Sequence, residues 1–109
     1  LKILFAADSY RIMGAKTKKA FDALKVILDE NPEGIVVIQG HASEDGAADY
    51  NLSLSRKRAE AVRARLIELG VDAARLEVEA FGETVLAGDN STAEGRAKSR
   101  RVEFKSKKQ

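Results

Sequence analysis

An arginine and an asparagine on one predicted helix are the side chains best suited to hold a charged ligand. Asn51 and Arg58 are seven positions apart, and a helix that turns about 100° per residue brings such a pair nearly into line. Within about 60° of Arg58 the same helix carries an apolar stripe that should face the protein, formed by Leu54, Ala61, Val62 and Leu69. We therefore expect Arg58 and Asn51 at the edge of a buried face, and Arg56 and Lys57 in solvent.

The partner of Arg58 decides its role, because burying an unpaired guanidinium is costly. The sequence is compatible with two partners. One is a carboxylate of the chain itself, and the other is a carboxylate of a ligand, which the planar guanidinium can hold through two parallel hydrogen bonds. Arg65 also lies near this face, but it is closer to the helix end and can reach solvent by extending its side chain. The residues alone leave both partners of Arg58 open.

A polar loop from His41 to Asp49 leads into this helix from a predicted buried strand. Strand ends followed by loops are frequent positions of binding residues. Glu44 and Asp45 can supply negative charge there, although solvation of an exposed loop explains them more simply. His41 is the chain's one histidine, and we expect it to be a hydrogen-bonded structural residue at the strand end.

The sequence does not support catalysis. It contains no cysteine and one histidine, which argues against a thiol nucleophile and a zinc site. No nucleophile-elbow motif accompanies His41, and the glycines lack the spacing of dinucleotide or phosphate loops. We predict a non-enzymatic chain that needs no cofactor and no metal.

Four predicted strands position these side chains. Lys2–Phe5 is a short apolar run, Gly34–Gly40 contains a β-branched run bounded by glycines, and Leu76–Ala80 alternates between apolar and acidic residues. The last strand, Arg100–Lys105, has Val102 and Phe104 on one face.

Two long helices separate the first three strands. The first runs from about Thr17 to Asn31, where Pro32 disfavours further helix. The second runs from about Tyr50 to Leu69 and should end at Gly70 in a left-handed conformation. A capping box at Ser91–Glu94 predicts a short helical turn before the last strand. The order β-α-β-α-β-β predicts an α+β fold, with a mixed sheet and two helices on one face.

Length and composition are those of one soluble domain over residues 1–109. The chain has 19 basic and 17 acidic residues, a net charge of +2 and 44% hydrophobic residues. This balance does not predict a nucleic-acid partner, since no stacking aromatics accompany the basic residues. The excess charge lies near the C-terminus, where we expect a solvated strand face and a frayed tail, in Arg100, Arg101, Lys105, Lys107 and Lys108.

No apolar run approaches the roughly 20 residues that cross a bilayer, and no signal peptide is visible. Because the chain begins at Leu1, we expect a processed protein or an excised domain. Any membrane anchor would then lie outside this fragment.

Ordered motifs along nearly the whole chain resemble the OmpA-like domain family, which includes OmpA, the Pal lipoproteins and the stator protein MotB. The central motif comprises Gly40-His41, Gly46, Tyr50-Asn51, Leu54-Ser55, Arg58-Ala59 and Val62. Later matches are Gly70-Val71, Arg75-Leu76, Phe81-Gly82-Glu83, Asn90, Thr92, Gly95-Arg96-Ala97 and Arg100-Arg101-Val102-Glu103. The family's fold agrees with the predicted order of elements.

The resemblance implies non-covalent binding of peptidoglycan in the bacterial periplasm, with other envelope proteins as further partners. The family's ligand is the stem peptide, chiefly the free end of its diaminopimelate residue, which carries an ammonium and a carboxylate. The implied binding residues are Asp8, Ser43, Asn51, Leu54 and Arg58. The chain is thereby expected to anchor a periplasmic protein to the cell wall, tethered to the outer membrane through parts outside this fragment.

Ser43 departs from the family pattern, which usually has aspartate at this position. Serine accepts a hydrogen bond but supplies no countercharge for an ammonium. Because a hydrogen bond to a charged group contributes roughly 1.5–3 kcal/mol, the change is expected to weaken binding by about ten- to a hundredfold, unless Glu44, Asp45 or Asp8 compensates. The alternative is a structural or protein-interaction domain that has lost wall binding. A second departure is Ser99, where the family often has asparagine.

Overall fold

Strands and helices alternate along the chain in this computed structural model, which describes residues 1–43 and 46–107. The strands are β1 Lys2–Leu4, β2 Ile35–Gly40, β3 Leu76–Ala80 and β4 Arg101–Lys107. The helices are α1 Gly14–Glu30, α2 Ala48–Glu68 and α3 Ala93–Ser99, and a single 3₁₀ turn, Ala73–Arg75, precedes β3.

The four strands form one mixed sheet in the order β1-β4-β2-β3. β4 is antiparallel to both β1 and β2, whereas β2 and β3 are parallel. The parallel pair follows from the connection through α2, because a long helical crossover returns the chain in the same direction. The predicted mixed sheet and α+β class are confirmed.

One face of the sheet carries the hydrophobic core. Ile3 lies opposite Val102 in the β1–β4 pair, and Val36 lies opposite Leu76 in the β2–β3 pair. Side chains of both long helices pack in the same cluster, namely Phe21, Leu24 and Leu28 from α1 and Ala59, Val62 and Leu66 from α2. Since both helices share this core with the same face of the sheet, their predicted arrangement is confirmed.

The long helices begin earlier than their apolar patterns predicted. α1 begins at Gly14, and the Thr17 hydroxyl donates to the Met13 carbonyl at 2.8 Å, which places Thr17 inside the first turn. α2 ends as predicted: Gly70 has a φ of 98°, and the Val71 N–H donates to the Leu66 carbonyl at 3.0 Å. Hydrophobic periodicity thus located the helices but not their first turns, where few residues are apolar.

The predicted capping box at Ser91–Glu94 is displaced by one residue. Thr92 is the N-cap of α3, and its hydroxyl accepts from the Gly95 N–H at 2.9 Å. Ser91 instead lies in a turn in which its N–H donates to the Asp89 carboxylate at 2.9 Å. A Cβ on Gly95 would stand 1.8 Å from the Asp89 carbonyl oxygen. The close approach of this turn to the helix therefore requires glycine three residues after the cap, where a capping box has an acid.

Candidate functional site

A cavity of about 310 Å³ opens where α2 meets the loops after β1 and β2. Its lining residues are Ala7, Asp8, Ala42, Ser43, Gly46, Tyr50, Asn51, Leu54, Arg58 and Arg100. The set includes all five residues that the sequence predicted to bind a ligand, so the structure brings them together. Their role in binding stays a prediction.

A close helix–strand contact positions α2 beside this cavity. A Cβ on Gly40, the last residue of β2, would stand 1.9 Å from the carbonyl oxygen of Ser55 in α2. Only glycine permits this approach. The Ser55 hydroxyl in turn accepts from the Gly82 N–H at 2.9 Å. These contacts fix the helix against the strand end, and so fix the side chains of α2 that face the cavity.

Arg58 is fully buried, with 0% of its surface exposed. Its Nε donates to the Ser9 carbonyl at 2.7 Å, its Nη1 to the His41 carbonyl at 2.9 Å and its Nη2 to the Ala6 carbonyl at 3.1 Å. The guanidinium also lies over the Phe5 ring, 5.5 Å from its centroid. Within residues 1–43 and 46–107, no carboxylate forms an ion pair with it. Among the described residues, carbonyl oxygens rather than a carboxylate therefore hold Arg58.

The three carbonyls leave part of the Arg58 guanidinium available to the cavity. A guanidinium has five N–H groups, and three of them donate to these carbonyls, so one on each Nη nitrogen remains. Burial, then the neighbouring charge of Arg100, lowers the Arg58 pKa to about 10, while Asp8 acts in the opposite direction. Arg58 therefore stays charged at neutral pH, and two of its N–H groups do not donate to these carbonyls.

Asp8 lies on the cavity wall in an unusual backbone conformation. Its φ of 53° is in the left-handed region, which non-glycine residues seldom adopt and which is often found at functional sites. The Tyr50 hydroxyl donates to the Asp8 carboxylate. This contact connects the loop after β1 to the first turn of α2 across the cavity mouth.

Asn51, Leu54 and Ser43 are buried, with 3%, 7% and 4% of their surfaces exposed. The Asn51 amide donates to the Glu83 carboxylate at 3.2 Å. Leu54 and Ser43 complete the wall between Asn51 and Arg58. The departure from the family pattern at Ser43 therefore falls inside the cavity rather than on the outer surface. Glu44 and Asp45, two of the three acids that the sequence analysis named as able to compensate for it, lie outside the described residues.

Arg100 is a lining residue that the sequence analysis assigned wrongly to a solvated strand face. It is half-buried, and its Nε donates to the Phe5 carbonyl at 3.1 Å. Strand alternation does not locate it, because Arg100 is the C-cap of α3, with φ −82° and ψ 79°, and β4 begins only at Arg101. Tyr50 was also missed as a lining residue, although it stands beside Asn51 in the family motif.

The solvated-face prediction is wrong for Arg101 as well. Arg101 is 3% exposed and donates to the Glu103 carboxylate and to the Val85 carbonyl, the latter at 3.1 Å. The prediction is confirmed for Lys105 and Lys107, which are exposed. Lys108 lies outside the described residues.

His41 does not line the cavity. Its ring stacks on Phe81 with centroids 5.0 Å apart, and its Nδ1 is buried with no hydrogen-bond partner among the described residues. Burial, and to a lesser degree the charge of Arg101, lowers the His41 pKa from 6.5 to about 4. The ring is therefore neutral at pH 7. The structural role expected of His41 comes from stacking and from its backbone groups, not from a side-chain bond at Nδ1.

Residues 4–100 match the profile of the OmpA family. The chain belongs to the OmpA family. The probable lipoprotein YiaD of Escherichia coli is 41% identical to this domain over 79 residues, which are 72% of the chain and 36% of YiaD. The peptidoglycan-associated lipoprotein of Haemophilus influenzae is 35% identical over 81 residues, 74% of the chain and 52% of that protein. The domain thus spans about half or less of the length of these two relatives.

The fold of this OmpA-family domain is also that of a solved relative. The crystal structure of the peptidoglycan-associated lipoprotein from Burkholderia pseudomallei aligns with a TM-score of 0.91 at 30% identity, covering 97% of this chain and 89% of that one. The relatives are outer membrane proteins and envelope lipoproteins. Among the described residues, no helix is both long and apolar enough to cross a bilayer.

Proposed function

We propose that this domain binds peptidoglycan without catalysis and so anchors an envelope protein to the cell wall in the periplasm. The bound group is the free end of a diaminopimelate residue in a stem peptide, held in the cavity beside Arg58. The observation that carries the proposal is a buried, charged guanidinium that lines the cavity and is bonded to neutral carbonyls rather than to a described carboxylate. Membership in the OmpA family supports it, since relatives are named peptidoglycan-associated lipoproteins.

The cavity has the properties that a peptide end group requires. Its volume of about 310 Å³ is at the lower end of the range typical of small-ligand sites. Leu54 offers an apolar contact for a methylene chain, and Asn51 and Ser43 offer polar contacts beside it. A carboxylate that reaches Arg58 would form charge-assisted hydrogen bonds in a partly desolvated site, where such bonds are strongest.

Retention on isolated peptidoglycan sacculi tests this proposal. Because Arg58 also joins three chain segments, its replacement confounds binding with folding. Ala7→Trp is the better variant, since Ala7 is exposed and lines the cavity, so a large ring should obstruct the cavity and leave the core intact. Ala23→Trp is the matched control, because Ala23 is exposed on α1 and does not line the cavity.

We expect sacculi to retain the wild type and Ala23→Trp, and to lose Ala7→Trp. Equal retention of Ala7→Trp and the wild type would rule out this cavity as the site. A wild type that is not retained at all would refute the function.

The second candidate function is a structural or protein-interaction domain that has lost wall binding, and the buried position of Ser43 on the cavity wall favours it. Ser43→Asp discriminates between the two. If calorimetry detects binding of a diaminopimelate tripeptide by Ser43→Asp and none by the wild type, the second candidate is correct.

A further inference from the structure

The described part of the cavity wall contains more positive than negative charge. Among the described lining residues, Arg58 and Arg100 are cationic and Asp8 is the one anion. The Asp8 carboxylate already accepts the Tyr50 hydroxyl. Ser43 is neutral and adds no negative charge to the wall. The wall therefore provides two guanidinium groups and one carboxylate that is partly committed to the protein.

Arg58 and Arg100 are close enough to affect each other. The charge of Arg100 contributes to the lowered Arg58 pKa, which reports repulsion between the two guanidinium groups. Arg100 is anchored through its Nε to the Phe5 carbonyl, so it cannot move freely away. An anion between two like charges relieves their repulsion, whereas a cation adds to it. The described wall, with two guanidinium groups and one carboxylate, is thus suited to a carboxylate and disfavours an ammonium group.

We infer that Arg100 is a second carboxylate-binding residue of the cavity, and that the ammonium of the ligand contributes little to affinity. This inference rests on the proposed function. It assigns the ligand class as peptides whose third side chain ends in a free carboxylate, with or without a neighbouring amine. Arg100 and Ser43 then act together as specificity-determining residues, one by adding a cation and the other by lacking an anion.

Three synthetic tripeptides with an amidated C-terminus, which differ only at the third side chain, test the inference by calorimetry. One contains meso-diaminopimelate, with a terminal ammonium and carboxylate. The second contains 2-aminopimelate, which keeps the terminal carboxylate and lacks the ammonium. The third contains lysine, which keeps an ammonium and lacks the carboxylate. We expect the first two to bind wild type within about threefold of each other, and lysine to bind at least about thirtyfold more weakly.

Two variants extend the test. Arg100→Gln should weaken binding of both carboxylate peptides by about tenfold, whereas Lys98→Gln, an exposed control outside the cavity, should not. Ser43→Asp should make the diaminopimelate peptide bind about tenfold better than the aminopimelate peptide.

The outcomes separate this inference from the proposed function. If the wild type binds the diaminopimelate peptide more than about tenfold better than the aminopimelate peptide, the inference fails and the proposed function stands. The same holds if folded Arg100→Gln, verified by its thermal transition, binds like wild type. If none of the three peptides binds, both fail. The wild-type series alone decides on the ammonium, without relying on any variant to fold.

Discussion

Two buried arginines at the same end of the sheet are satisfied in different ways. Arg101 is 3% exposed and donates to the Glu103 carboxylate as well as to carbonyls. Arg58 is 0% exposed and donates to carbonyls alone. Both meet the hydrogen-bonding demand of a buried guanidinium, but among the described residues only Arg101 forms an ion pair, with Glu103. The comparison indicates that Arg101 serves the fold, whereas for Arg58 we predict a role in ligand binding besides its role in the fold.

Arg75 shows that carbonyl acceptors alone do not mark a site. It donates to the Gly34, Leu28 and Asn31 carbonyls, at 3.0, 2.8 and 2.6 Å. It is half-buried, so water can solvate its charge, and its bonds stabilise the C-terminal end of α1. Arg75 also lines a cavity, of about 480 Å³, so a neighbouring cavity does not separate the two residues. Full burial is what distinguishes Arg58.

Replacing Arg58 should have the largest effect on stability. Arg58→Ala removes the donors to the Ala6, Ser9 and His41 carbonyls, and we expect a loss of about 3–5 kcal/mol in the free energy of unfolding. Urea denaturation measures it, with Arg56→Ala, exposed on the same helix, as the control with a change below about 0.5 kcal/mol. A loss of less than about 1 kcal/mol in the free energy of unfolding of Arg58→Ala would contradict the conclusion that Arg58 stabilises the fold.

Lowering the pH should have the next largest effect on stability, and it should act through His41, which contacts both Arg58 and Arg101. His41 accepts from Arg58 at its carbonyl and donates its N–H to the Arg101 carbonyl at 2.8 Å. Its pKa is about 4 in the folded domain against 6.5 for an unperturbed histidine. The unfolded chain therefore binds more protons between these values. The stabilisation is complete above about pH 6.5 and is lost as the pH falls towards 4, by up to about 3 kcal/mol.

Unfolding measured across this pH range tests the His41 prediction. His41→Phe keeps an aromatic ring against Phe81 and removes the titrating nitrogen. The slope of stability against pH between 6.5 and 4 should become shallower in this variant, whatever its absolute stability. An unchanged slope would show that other groups are responsible.

Replacing Arg101 should have the smallest effect of the three. Arg101→Met should cost about 1–2 kcal/mol in urea denaturation, because the released Glu103 side chain is 42% exposed and can be hydrated. The hydrogen bond from Arg101 lowers the Glu103 pKa, so this pKa should rise in the variant when followed by NMR titration. Sacculus retention should not change. Loss of retention in a folded Arg101→Met would remove the distinction between the two arginines.

Much of the fold and of the cavity lining could be predicted, because helices and strands that cover a core leave a periodic pattern of apolar residues in the sequence. The seven-residue spacing of Asn51 and Arg58 placed both on the covered face of α2, and β-branched and alternating runs located β2 and β3. The acceptors of Arg58 could not be predicted, since backbone carbonyls look alike at every position. The place of Arg100 could not be predicted from strand alternation, since it precedes β4 and its backbone is not extended. The α3 cap was misplaced because both Ser91 and Thr92 are good caps.

The three bonds of Arg58 have a mechanical consequence if the domain holds the wall. A carboxylate pulled outward from the cavity would load the Arg58 guanidinium. Its acceptors belong to the segment after β1 and to the end of β2. Tension would therefore spread at once into two separate stretches of backbone and the helix, and rupture would require several bonds to yield together rather than one side chain to swing aside.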